Sequence, residues 1–119
     1  IGRFKDMIRR SSENISAMEV EYVLSQHPKI EQAAVVAVPD EYRGEEIKAF
    51  VLLREPTKAF AAEQIIDHCQ TRLAAFKIPR YIEFVSDFPY TPSKKIAKHK
   101  LLETNKDLTA NSWDKTKRA

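Results

Sequence analysis

Lys95 closes the segment FPYTPSKK within the run FPYTPSKKIAKHKLL, residues 88–102, and its ammonium is a group suited to offsetting negative charge between two anions. Pro89 and Pro92 fix φ and disfavour helix just before them, so Tyr90 to Lys94 is predicted to be an extended, ordered loop leading into a short basic helix. An electrostatic group gains most when it need not reorganise, and such a loop supplies that condition. On spacing alone Lys95 ranks no higher than Lys94, Lys98 and Lys100, which read as a solvated basic face. A second basic segment lies at the other end. Residues 1–10 carry Arg3, Lys5, Arg9 and Arg10 against Asp6, residues 90–119 carry eight basic against three acidic side chains, and the stretch between has eight basic against thirteen acidic. Positive charge at both ends suits a polyanion, whether nucleotide phosphates, coenzyme A or nucleic acid.

Several chemistries are excluded. Only Gly2 and Gly44 are glycines, so no glycine-rich loop can wrap phosphates with backbone N–H groups. His27, His68 and His99 are far apart in sequence with no partner at ligand spacing, which argues against a metal site. No Ser/His/Asp grouping can be read. Chemistry performed here is therefore shared with another domain. The single Cys69 lies four residues after Ile65 and four before Leu73 on an apolar stripe, and reads as core.

The elements that must position these groups follow from periodicity. At 119 residues and 43% hydrophobic the chain suits one compact domain. Met7 to Arg10 and Asn14 to Ser16 flank a polar turn and predict an antiparallel hairpin. Ser16 and Glu19 form a capping-box signature opening a helix over about Ala17 to Gln26, which explains Glu19, while Glu21 reads as solvated helix face. Ile30 to Val38 and Glu46 to Leu53 read as strands, with Pro39 ending the first and Asp40 to Gly44 turning between them. Ala61 to Leu73 is the second long helix, without a capping side chain at its start. Tyr81 to Val85 has strand composition. The expected fold is a small α+β domain with an N-terminal β-hairpin and a short central sheet flanked by helices. Residues 1–103 form the domain and 104–119 a polar tail, loose from Asn105 unless Trp113 docks it. No run of 18 apolar residues and no signal peptide is present, so a cytoplasmic protein without a membrane span is expected.

GRFKDMIRRSSENISAMEVE, residues 2–21, together with FPYTPSKKIAKHKLL, resembles the small C-terminal domain of the adenylate-forming acyl-CoA synthetases. The resemblance implies a lid that closes over a large N-terminal domain holding ATP and a carboxylic acid. It assigns Lys95 as the catalytic lysine of adenylation, Lys5 with Asp6 as the hinge, and Arg3 and Asn14 as nucleotide contacts. Arg9, Ser11, Ser12 and Glu13 fall in the segment presented to the coenzyme A channel after the domain turns. ATP, AMP and coenzyme A are the implied ligands; magnesium is implied for the complete enzyme and not for this domain, which alone is expected to be inactive. RFKDMIRRSSENIS, FKIPRYIEFV and Trp113-Asp114 look most like medium-chain and crotonobetaine/carnitine-type CoA ligases.

Two positions depart from that family, each at a glycine. Ser12 stands in the hairpin turn and Lys94 beside Lys95 where most relatives have Gly, the residue that accepts positive φ without cost. A carrier protein's phosphopantetheine in place of coenzyme A is a second reading, and a non-catalytic anion-binding module a third. The lack of interleaved aromatics and of an RNA-binding motif argues against nucleic acid.

Overall fold

A computed structural model describes residues 7–55, 60–103 and 112–117. The hairpin is present as β1 (Met7–Arg10) and β2 (Glu13–Ser16), paired with Ile8 opposite Ile15 and Arg9 opposite Asn14. Ile8 and Ile15 point inward and are buried, so the alternation of a strand sends Arg9 and Asn14 to the other face, where both are exposed. Ser16 ends β2 and caps α1 (Ala17–Ser25), its Oγ accepting from the Glu19 amide at 3.4 Å.

The strands β3 (Ile30–Asp40) and β4 (Gly44–Leu53) form a long antiparallel hairpin. Contrary to expectation, β3 runs through Pro39. Among the described residues β3 pairs only with β4, and an edge strand tolerates a residue with no N–H to donate. Gly44, at φ 81°, opens β4 after the loop 41–43 in a left-handed conformation that glycine accepts without cost. On its other side β4 pairs in parallel with β5 (Tyr81–Val85), while among the described residues the ladder between β1 and β4 is the one pair Arg10–Gly44, joined by a bond from the Arg9 amide to Glu45 Oε1 at 2.7 Å.

Helix α2 (Ala62–Gln70) ends three residues before the Leu73 expected; its N-cap Ala61 has no capping side chain, and Gln64 Oε1 instead accepts from the Ala61 amide at 2.8 Å. Both α1 and α2 cover one face of the sheet. Val20, Leu24, Ile65, Ile66 and Cys69 pack there against Val35, Ile47, Ala49, Val51 and Ile82. The alternate residues Ala34, Val36, Val38 and Phe50 form a second cluster, covered by Phe88 and Leu101 from the last basic segment. Lys48 is also wholly buried, with Nζ 2.7 Å from Glu83 Oε1 and 4.4 Å from the centre of the Phe50 ring. The basic run ends in α3 (Lys98–Glu103). The tail returns to the sheet: β6 (Trp113–Asp114) pairs with the start of β5, and Trp113 packs against the first cluster. The result is an α+β domain with both sheet faces covered. No helix among the described residues is long and apolar enough to cross a membrane.

Candidate functional site

The Lys95 loop is a tight turn on a buried base. Tyr90 and Ile96 form an isolated β-bridge, and the Ala97 amide donates to Pro89 O at 2.8 Å. Between them the Lys94 amide donates to Thr91 O at 2.8 Å, the Thr91 amide to Lys95 O at 2.7 Å, and the Lys95 amide to Thr91 Oγ1 at 3.2 Å. Pro92 therefore occupies the second position of a hydrogen-bonded turn, where its fixed φ fits, and Lys94 occupies the fourth, at φ 67°. That is the left-handed position of a three-residue hairpin loop, and glycine is its usual occupant. Phe88 and Ala97 anchor the base, being 3% and 2% exposed. Burying Phe88 and Leu101 contributes roughly 1.5–3 kcal/mol each. Lys95 itself is exposed, as are Lys94 and Lys100. Its ammonium is therefore presented to solvent from a fixed backbone.

The second candidate segment is the β1–β2 hairpin. Arg9 and Asn14 are cross-strand partners on one exposed face, so their polar ends can meet a common ligand. The turn is Ser11-Ser12, and the residue with positive φ is Ser11, at 56°, not Ser12. A two-residue loop with positive φ at its first central position is where glycine is favoured, so the conformational demand falls one residue before the position expected. Glu13 is exposed opposite Arg10. Arg3, Lys5 and Asp6 lie outside the described residues.

The turns of the two segments, at Lys95 and at Ser11, are not brought together. Tyr90 Oη donates to Gln32 Oε1 at 2.6 Å near the start of β3, whereas the Ser11 amide donates to Arg43 O at 2.8 Å just past its end. Eight residues separate Gln32 from Asp40, which sets these anchors roughly 26 Å apart along the strand. Where β1 faces α3, which follows the Lys95 turn, a cleft of about 400 Å³ opens with Met7, Glu45, Lys98 and His99 on its walls.

The chain matches the AMP-binding enzyme C-terminal domain over residues 19–95. It belongs to that family. It is 48% identical over 108 residues to the medium-chain acyl-CoA ligase ACSF2, mitochondrial, of Danio rerio, covering 90% of this chain and 18% of that protein. The human protein of the same name is 44% identical over 103 residues, covering 87% and 17%. A Mycobacterium tuberculosis fatty acyl CoA synthetase superposes with a TM-score of 0.80 at 36% identity, covering 86% of this chain and 20% of that one. The chain thus spans less than a fifth of the length of the curated relatives named here.

As a member of the AMP-binding C-terminal family, the domain has several polar groups that belong to its framework. Glu21 is not solvated helix face: its Oε2 accepts from the Val35 amide at 2.8 Å and from Lys98 Nζ at 2.7 Å, joining α1, β3 and α3. Lys98 thereby leaves the solvated basic face expected for it. The Glu19 carboxylate takes Lys77 Nζ at 3.0 Å. His27 and His68, 41 positions apart in the chain, meet edge to face with ring centres 5.0 Å apart, although no group of three or more metal-ligating side chains occurs among the described residues. Sequence reasoning also missed Arg80, whose guanidinium gathers Asp40, Glu46 and Asp114. Its only signal was a charged residue directly before a strand. Burial alone raises the Asp114 carboxyl, but hydrogen bonds from Arg80 and Thr116 outweigh it and hold the group below its ordinary value.

Proposed function

We propose that this domain is the lid of an ATP-dependent acid–thiol ligase, which adenylates a carboxylic acid and then transfers the acyl group to coenzyme A. One observation carries this beyond family membership: two exposed basic segments are pinned to opposite ends of one strand, so a rigid domain presents them to a single site only in turn. The fatty or medium-chain acyl-CoA ligases among its relatives supply the substrate class. In this reading residues 1–103 are the lid, its partner is the large domain of the same enzyme, and the enzyme is cytoplasmic.

In the adenylation half, a carboxylate attacks the α-phosphate of ATP and displaces pyrophosphate. Lys95 offsets the charge that accumulates between these anions. Its turn is fixed by main-chain and side-chain hydrogen bonds around Thr91, so no reorganisation is needed when charge develops. Arg3 and Asn14 contact the nucleotide. In the thioester half the lid turns about Lys5 and Asp6, and Arg9, Ser11, Ser12 and Glu13 line the path of the incoming thiol, which takes the acyl group while AMP leaves. Magnesium accompanying ATP belongs with the large domain in this reading.

The test uses the complete enzyme with ATP and a panel of hexanoate, octanoate and decanoate. Lys95→Ala should lower pyrophosphate release on the order of 10²–10³ fold, yet still convert a supplied acyl-adenylate to thioester. Survival of both half-reactions unchanged would remove Lys95 from the chemistry. Import of the tagged complete enzyme into mitochondria would overturn the cytoplasmic location.

A further inference from the structure

Arg80 is the branch point of two polar routes that both end in the hairpin. Its Nε and Nη2 donate to the two oxygens of Asp114 at 3.2 and 3.3 Å, a forked pairing, while Nη1 donates to Asp40 Oδ1 at 3.2 Å and lies 3.6 Å from Glu46 Oε2. The first route passes through Glu46, which is 3% exposed, to Arg10 of β1, whose Nε donates to Glu46 Oε1 at 2.7 Å. The second passes through Asp40, whose Oδ2 accepts from the Tyr42 and Arg43 amides at 3.1 and 2.8 Å. From there Arg43 Nη1 reaches Ser11 Oγ at 3.2 Å, and the Ser11 amide returns a hydrogen bond to Arg43 O. Arg80 is itself fixed through its backbone, donating to Ile47 O at 3.0 Å and accepting from the Lys115 amide at 2.8 Å.

The hairpin needs such support. A two-stranded ribbon is marginal alone, and among the described residues β1 joins the larger sheet by one ladder pair, Arg10–Gly44, and by the Arg9 amide donating to Glu45 Oε1 at 2.7 Å. Ile8 and Ile15 hold its base in the core, but the turn projects beyond them, so its direction depends on polar contacts. Asp40, Glu46 and Arg80 lie within residues 19–95, whereas Arg10 and Asp114 lie outside them. The charged chain therefore ties a segment before the matched family core to one after it.

We propose that Arg80, held by Asp114 of the C-terminal strand, is the positioning residue that sets where the hairpin turn points, so that this strand governs the thioester-forming half-reaction without touching its substrates. The assignment of that half-reaction rests on the two-orientation function above. Forked geometry is what makes the arginine suitable: a lysine is a point charge and cannot hold Asp114 with two parallel bonds while also reaching Asp40 and Glu46.

The experiment compares wild type, Asp114→Asn and Arg80→Lys in the complete enzyme, with octanoate and ATP for pyrophosphate release and supplied octanoyl-adenylate with coenzyme A for thioester formation. Amide hydrogen exchange is followed alongside for residues 7–16, 17–25 and 62–70. Both variants should leave pyrophosphate release within about twofold of wild type and slow thioester formation on the order of tenfold to a hundredfold. Exchange should quicken in residues 7–16 and stay unchanged in the two helices. Exchange in residues 7–16 unaffected by either variant overturns the positioning role, as does a parallel fall of both half-reactions with faster exchange throughout, which marks a merely structural residue. If wild type forms no thioester, or Lys95→Ala leaves both half-reactions intact, the two-orientation function fails instead, and the exchange measurement still decides whether Arg80 positions the hairpin.

Discussion

The amide of Thr91 donates to the carbonyl of Lys95 at 2.7 Å, and this one bond forces the three residues between them into a loop that leaves Lys94 at φ 67°. A side chain in that region costs roughly 1–2 kcal/mol, while glycine adds roughly 0.5–1 kcal/mol of backbone entropy loss on folding. Lys94→Gly should therefore stabilise the domain by roughly 0.5–1 kcal/mol, read as a higher urea midpoint with an unchanged slope. A lower midpoint would mean that Lys94 makes contacts outweighing its strain.

The hairpin turn gives a sharper version of the same test. Positive φ falls on Ser11, at 56°, and not on Ser12. Ser11→Gly should raise stability, offset in part by loss of its bond from Arg43. Ser12→Gly should lower it by up to about 1 kcal/mol, because flexibility is added where none is used. The opposite order of urea midpoints would place the strained residue at Ser12.

Glu21 bonds the outward amide of Val35, a residue 1% exposed on an edge strand, and pairs with Lys98 on the helix that follows the Lys95 turn. Removing the carboxylate strands that amide, at a cost of about 1–3 kcal/mol. Glu21→Ala should accordingly destabilise by that amount in thermal or urea unfolding, whereas Glu21→Gln, which keeps an acceptor, should lose less. Equal losses would mean that the charge pair with Lys98, and not the Val35 amide, accounts for most of what Glu21 contributes.

These cases show what the chain made legible. Ala- and Val-rich composition in Ile30 to Val38 and the apolar run in Glu46 to Leu53 announced two strands joined by the polar turn Asp40 to Gly44, and Ser16 with Glu19 announced a helix start, because both signals are local. Local rules also placed both serines in a turn, but they read Tyr90 to Lys94 as an extended loop, whereas the bonds between Thr91 and Lys95 fold it into a tight turn. They could not say which serine takes positive φ, since that depends on the pairing of Arg10 with Glu13, fixed by burial of Ile8 and Ile15. Nor could they separate Glu21 from the solvated face, because the Val35 amide it serves is distant in sequence and free only because β3 is an edge. Arg80 meets Glu46 across the parallel crossover from β4 to β5 and Asp114 across the returning tail. A strand of two residues has no period to read.

Cys69 is fully buried on α2, and burial pushes its thiol up to about 11 despite the nearby Arg72 and Lys115. The thiolate is the reactive form, so native protein near neutral pH should resist iodoacetamide and become labelled only in step with unfolding. Rapid labelling of folded protein would show that α2 opens locally.

His27 carries a pH dependence of its own. His27 contacts the Phe60 ring at 4.7 Å between centres and the His68 ring at 5.0 Å, and its Nδ1 accepts from the Lys29 amide at 3.1 Å. Burial first, then the charges of His68, Lys29 and Arg72, lowers its pKa below 6.5. The folded state thus takes up a proton less readily than the unfolded chain. Above about pH 6.5 neither form is protonated there and stability is full; as pH falls below that value the unfolded chain binds the proton first, and stability declines until the folded pKa is passed. Thermal midpoints measured from about pH 7.5 down to pH 5.5, above the range where carboxylates titrate, should fall in wild type and fall less in His27→Gln. Midpoints that rise on acidification, or fall equally in both proteins, would show that the imidazole is stabilised in its charged form or plays no part.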